Sequence, residues 1–236
     1  METQIIALAI LAGFFVQSVI GFGATMTALP ILLIVLPFQD AVAFMAIYLA
    51  LFSVFFVVKE RRFIPWPMVL KLTFTGLVGL FLGIQVLKIG DPILLKRLLG
   101  VVILIYVGYK LMKRVKSKRI EKMHYLFGFL GGLFSGLFSS GGPLFIIYIQ
   151  NTVHGAREVR AAIIGVFGII NLSRIPIMMS NGLLTNELFE LSLIILPVFF
   201  GAILLGNVVF HRLNNVWFKN IVLVVLAILA VSLLVG

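Results

Sequence analysis

Two groups of residues in this chain have the chemistry to hold a small anion. The first is Ser139-Ser140-Gly141-Gly142-Pro143, set in the middle of a long apolar run. Glycine adopts positive φ without steric cost, and proline suits the first position of a helix. One helix is therefore expected to stop at Ser139, with Ser140 or Gly141 as the N-cap of the next. A helix that begins inside a membrane presents unpaired N–H groups and the positive end of its dipole, which attract an anion without any side-chain charge. The second group is Arg174, deep in the apolar stretch around Asn171-Leu-Ser-Arg174-Ile-Pro. An arginine at mid-span costs about 2.5–3.5 kcal/mol on insertion scales, so it should face the bundle interior and meet an acceptor. Its planar fork of donors matches an oxyanion. Asn171 shares its helical face. The other reading of Arg174 is a structural pair with a carbonyl, or a side chain reaching for the outer surface.

The Ser139–Pro143 break has an earlier counterpart about half the chain length away, in Gly13-Phe-Phe-Val-Gln17-Ser18-Val-Ile-Gly21-Phe-Gly23-Ala-Thr25-Met. Here Gly23 and Thr25 could open a second helix, with Gln17 and Ser18 one turn away. Interrupted helices leave backbone groups unpaired, which a membrane tolerates only around a cavity or a substrate. Two such breaks in corresponding places of two halves point to a transport site. The candidate substrate-binding residues are thus Gln17, Ser18, Gly21, Gly23 and Thr25, then Ser139, Ser140, Gly141, Gly142 and Pro143, with Asn171 and Arg174. Close helix packing is the competing use of such glycines, and Gly128 and Gly132, in Gly128-x-x-x-Gly132-x-x-x-Gly136, are assigned to it.

Little else in the chain is reactive. There is no cysteine, hence no thiolate ligand, thiol nucleophile or disulfide. Asp40, Asp91, Glu158, Glu187 and Glu190 fall at or near loops, so no carboxylate proton relay is visible. His124, His154 and His211 sit at span ends as interface residues rather than metal ligands. The spans hold no H-E-x-x-H, buried acidic pair or serine–base set. Neither an enzyme, nor a metal, nor a cofactor is expected.

With 62% hydrophobic and 11% charged residues, the chain exceeds any soluble composition. Its net charge of +11 sits in short loops between apolar spans. That pattern is the positive-inside signature and not a nucleic-acid surface; the partners expected are a small anion and membrane lipid, and a homo-oligomer stays open. Trp66 and Trp217 read as interfacial anchors. Met1-Glu-Thr-Gln lacks a basic leader, so the first helix is expected to be retained. Apolar runs and breakers place segments at roughly 4–20, 24–37, 40–58, 65–87, 92–112, 124–139, 143–151, 159–179, 187–209 and 216–235.

Charge decides whether the two broken segments cross once or return. If both return, only Lys88, Lys96 and Arg97 of the 19 basic residues lie on the far face, with Arg174 inside a span. If both cross once, the four loop cations of the second half change sides. The returning hairpin gives the stronger asymmetry. The expected fold is an all-α polytopic membrane protein of two inverted-topology repeats, each a Gly-broken hairpin plus three transmembrane helices. The first repeat covers about 1–112, a basic cytoplasmic loop 113–122, and the second repeat about 123–236. Both termini are expected outside the cytoplasmic membrane. Arms of about 14–17 residues at 1.5 Å each are marginal for crossing. Elsewhere Gly79-Leu-Phe-Leu-Gly83 matches Ala202-Ile-Leu-Leu-Gly206, and Asp91-Pro92 corresponds to Asn214-Asn215.

The stretches Gly13 to Pro30 and Gly128 to Pro143, with the basic central loop, resemble the TauE/SafE family of sulfite and organosulfonate exporters. The better match is Gly136-Leu-Phe-Ser-Ser-Gly-Gly-Pro143; the first motif has Gly21-Phe-Gly-Ala-Thr where three glycines are common. Pro30 fits the family's proline, while the corresponding Ile149 does not. The resemblance implies anion export more safely than any particular anion. Together with the two helix breaks it gives the expected function, a secondary transporter exporting a small sulfur-containing anion such as sulfite or an organosulfonate, bound where the two hairpin tips meet near the midplane and moved by rocking between the inverted halves. An anion-selective channel using the same Gly-rich tips is the alternative.

Overall fold

The computed structural model describes residues 2–20, 22–111, 120, 122–210 and 215–235. Gly21, most of the basic loop 113–122, His211 and Asn214 lie outside them, as does the side chain of Trp217. Ten helices and no strand occur among the described residues: α1 (Glu2–Ile20), α2 (Ala24–Leu32), α3 (Phe38–Glu60), α4 (Trp66–Ile89), α5 (Pro92–Leu111), α6 (His124–Phe138), α7 (Gly142–Thr152), α8 (Ala156–Ser180), α9 (Asn186–Phe210) and α10 (Asn215–Val235). Within α1, α3, α4, α8 and α9 lie spans of 18 to 24 residues, long and apolar enough to cross a membrane. The all-helical architecture expected from the sequence is the one found.

Each expected segment appears, and the largest boundary difference has a local cause. The second arm of the first hairpin, expected over 24–37, ends as an α-helix at Leu32. Beyond it the N–H groups of Ile34 and Val35 turn to the carbonyls three residues back, Ile31 and Leu32. Such tightening is a common way to finish a helix. At about 1.5 Å per residue, the 9 residues of α2, the 11 of α7 and the 15 of α6 each fall short of a ~30 Å hydrocarbon core. Only α1, the first arm of its hairpin, has the length to cross.

The chain forms two compact units that cut across the two sequence halves. One unit holds α1, α2 and the start of α3 with α5, α9 and α10; α1 packs on α9 and on α2, and α5 on α10. The other holds the rest of α3 with α4, α6, α7 and α8; α4 packs on α6 and α8, and α7 on both α6 and α8. Each unit therefore takes helices from both halves. Corresponding glycines make the two main seams. Gly83 of α4 lies on the Leu133 carbonyl and Gly136 of α6, and a Cβ on Gly206 of α9 would come 3.0 Å from the Phe15 carbonyl of α1 and overlap Ser18.

The α4–α6 seam is the tighter of the two. A Cβ on Gly132 would overlap the backbone of Gly76, one on Gly79 the Phe129 carbonyl, and one on Gly128 the Leu72 carbonyl. In lipid, helices gain little from burying apolar surface against each other, and close backbone approach supplies van der Waals contact instead. Packing is thus the observed use of Gly128 and Gly132. Around the seams the interior is filled by residues such as Phe14, Phe44, Phe138, Phe145 and Phe199, all essentially inaccessible.

Candidate functional site

The first hairpin closes on itself. Gly23 has φ 100, which lets the chain reverse before Ala24. The Ala24 N–H at the start of α2 donates to Gln17 Oε1 at 3.2 Å, and Thr27 Oγ1 donates to the Gly23 carbonyl at 3.2 Å. Gln17 thus occupies one of the donors that an anion would use. Thr25 is buried in the first turn of α2, and the buried Ser18 hydroxyl faces Gly206 with no hydrogen-bond partner. No charged side chain is buried in this unit among the described residues. Alanine at Gly23 would meet only an ordinary contact, Val16 Cγ1 at 3.9 Å, but would be held in the left-handed region, so Gly23→Ala should cost about 1–2 kcal/mol through the backbone alone. Chemical denaturation in detergent would register that loss.

The second hairpin is built differently. Ser139 ends α6 in the left-handed region at φ 52, the one described non-glycine residue with positive φ. The new helix α7 starts from Gly141, with no side-chain cap, and carries Pro143 in its first turn. A Cβ on Gly141 would overlap the Gly131 carbonyl and come 2.8 Å from Ser135 Cβ, so only glycine lets the start of α7 lie on the last turns of α6. Phe145 packs over Gly131, and the Phe167 ring of α8 comes within 3.3 Å of where a Gly142 Cβ would sit. The reversal expected at Ser139–Pro143 is present, with Gly141 as the cap.

Arg174 completes this site. It is fully buried, on the face of α8 that enters the unit. Its Nη2 donates to Ser135 Oγ of α6, the same serine on which Gly141 rests. Its Nε and Nη1 are buried without a partner. One turn earlier Asn171 Nδ2 donates to Ser53 Oγ of α3 at 2.8 Å, and both residues are buried. Structural pairing of Arg174 with a carbonyl is not what is seen. The guanidinium meets one neutral hydroxyl, and no carboxylate is buried among the described residues. A buried cation with two idle donors is costly by itself and is relieved by an anion.

The structure therefore gathers Ser139, Ser140, Gly141, Gly142, Pro143, Asn171 and Arg174 into one unit, and Gln17, Ser18, Gly23 and Thr25 into the other. Sequence reasoning missed Ser135 and Ser53. Ser135 precedes Ser139 by one helical turn, a spacing that could have put it on the same face. Ser53 carries no comparable signal. Ser135→Ala should strip Arg174 of its acceptor while leaving the helix intact. The expected result is a loss of about 1–3 kcal/mol of stability, read by thermal unfolding in detergent, because a third buried donor of Arg174 is left unpaired.

The family model described as sulfite exporter TauE/SafE matches residues 5–233, nearly the whole chain. No curated protein and no solved structure matches it.

Proposed function

Because the chain belongs to the sulfite exporter TauE/SafE family, a family of multi-pass membrane transporters, we propose that it exports a small sulfur oxyanion, sulfite or an organosulfonate, across the cytoplasmic membrane. The observation that carries this reading is Arg174, fully buried, with Nε and Nη1 unpaired and no acidic residue buried with it among the described residues. The guanidinium supplies the charge and two donors. The start of α7, with no side-chain cap, lies against the same Ser135 and adds its own N–H groups and dipole. Phe145, packed over Gly131, and Phe167, beside Gly142, make the surroundings of the α7 start apolar, which strengthens each polar contact there.

The corresponding glycine seams support the inverted-repeat reading, with each hairpin docked on the fourth helix of the opposite half. In that topology the basic loops face the cytoplasm and both termini face outward. Single cysteines at Arg61 and Lys122, in a chain that has none, would then label only from the cytoplasmic side.

Flux in proteoliposomes tests the function. Sulfite, sulfate, thiosulfate, taurine, sulfoacetate and chloride are compared with and without a pH gradient. Saturable movement of at least one sulfur oxyanion is expected, and movement of none overturns the proposal. Flux that rises linearly with concentration and shows no counter-transport would instead identify an anion channel.

A further inference from the structure

We infer that the site selects singly charged oxyanions over doubly charged ones. The inference rests on the anion-site reading above and goes beyond it by fixing the charge of the ligand. In the unit that holds the second hairpin, Arg174 is the one buried charge among the described residues. The other ionisable side chains on the surrounding helices do not add to it. Lys59, Lys71, Lys88, Arg157 and Arg160 are exposed. Glu60 and His124 lie at helix ends, at the close of α3 and the start of α6, and Glu158 is exposed in the first turn of α8. Tyr48 and Tyr148 are buried phenols and bring no cation.

One guanidinium balances one negative charge. A monoanion leaves the buried site neutral, whereas a dianion leaves it with a net negative charge in an interior whose large buried side chains, Phe138 and Phe145 among them, are apolar. The cost of taking an ion out of water rises with the square of its charge, so the dianion also starts from the larger penalty. The remaining donors suit this stoichiometry. Nε and Nη1 of Arg174 are unpaired while Nη2 is committed to Ser135, enough donors for two oxygens of one –SO3 group.

Sulfite separates the two cases in one molecule, since it passes from hydrogensulfite to the dianion near neutral pH. Methanesulfonate is a permanent monoanion and sulfate a dianion throughout that range. Binding to the purified full-length protein in detergent is measured by calorimetry for all three, from mildly acidic to mildly alkaline pH. Methanesulfonate is expected to bind with an affinity that does not change with pH, and sulfate about tenfold or more weakly. For total sulfite, the apparent affinity should fall by about tenfold for each pH unit above its own pKa, following the competent fraction. Sulfate binding as tightly as methanesulfonate, or sulfite binding more tightly as pH rises, overturns the inference. If such sulfate binding is lost in Arg174→Met, the anion site stands and only its charge selection falls. If none of the three anions binds, both readings fall together.

Discussion

Arg174→Met is expected to reduce sulfur-oxyanion transport by about a hundredfold or more without unfolding the protein. The loss follows from the two donors now unpaired in the buried guanidinium. Hydrogen bonds to charged groups contribute about 1.5–3 kcal/mol each, and ~1.4 kcal/mol is a factor of ten, so two of them account for the drop. Stability should move the other way or not at all. Methionine removes an uncompensated buried charge, forfeits one bond to the Ser135 hydroxyl, and keeps much of the side-chain volume. Thermal unfolding in detergent should therefore show an unchanged or raised midpoint for the variant without ligand. Added sulfite should raise the midpoint of the wild type by mass action and leave that of the variant where it was. A variant that loses stability and still responds to sulfite would mean that Arg174 holds the fold and not the anion. Arg174→Lys should fail to restore transport, because an ammonium lacks the planar fork.

Gly132→Ala is expected to be among the most destabilising single-methyl additions in the chain. The added Cβ would run into the backbone of Gly76, and backbone inside a helix has no rotamer by which to yield. The helices must separate along the whole seam, where Gly79, Gly83, Gly128 and Gly136 depend on the same close approach. A loss above ~4 kcal/mol is expected, beyond the usual range for a point substitution. Size-exclusion chromatography should show little monodisperse protein. Gly201→Ala is the matched control. Gly201 lies mid-helix in α9 with nothing within 4 Å of its added Cβ, so alanine there should stabilise by about 0.5–1 kcal/mol. Equal behaviour of the two variants would show that the seam is not what holds α6 in place.

The parts of this fold legible in the sequence were those that local chemistry dictates. Helix breaks announce themselves when Gly, Ser and Pro punctuate an apolar run, and both reversals fell where Gly23 and Gly141 are found. Arg174 was legible because a charge inside an apolar span has few innocent explanations. Its partner was not. A lone serine in a greasy helix carries no signature of its own, and Ser135 and Ser53 lie 39 and 118 positions from the residues they serve. The role of Gln17 as a cap was similarly hidden, since its oxygen could as well have faced a ligand. The pairing of Gly83 with Gly206 was visible as a match between two strings. Which helix each would press against depends on the exchange of elements between halves, which no local pattern encodes.

That exchange sets an order for biosynthesis. The contact surface of α6 is α4, already made when α6 leaves the ribosome, so the second hairpin can dock as soon as it is inserted. The contact surface of α1 is α9, nearly the last element to be made. At ordinary synthesis rates the first hairpin must wait about ten to thirty seconds for its partner. The bond from the Ala24 N–H to Gln17 joins residues within the hairpin itself and requires nothing made later. It can shield the break during that interval, so the nascent chain shelters its earliest exposed backbone long before the finished protein closes around it.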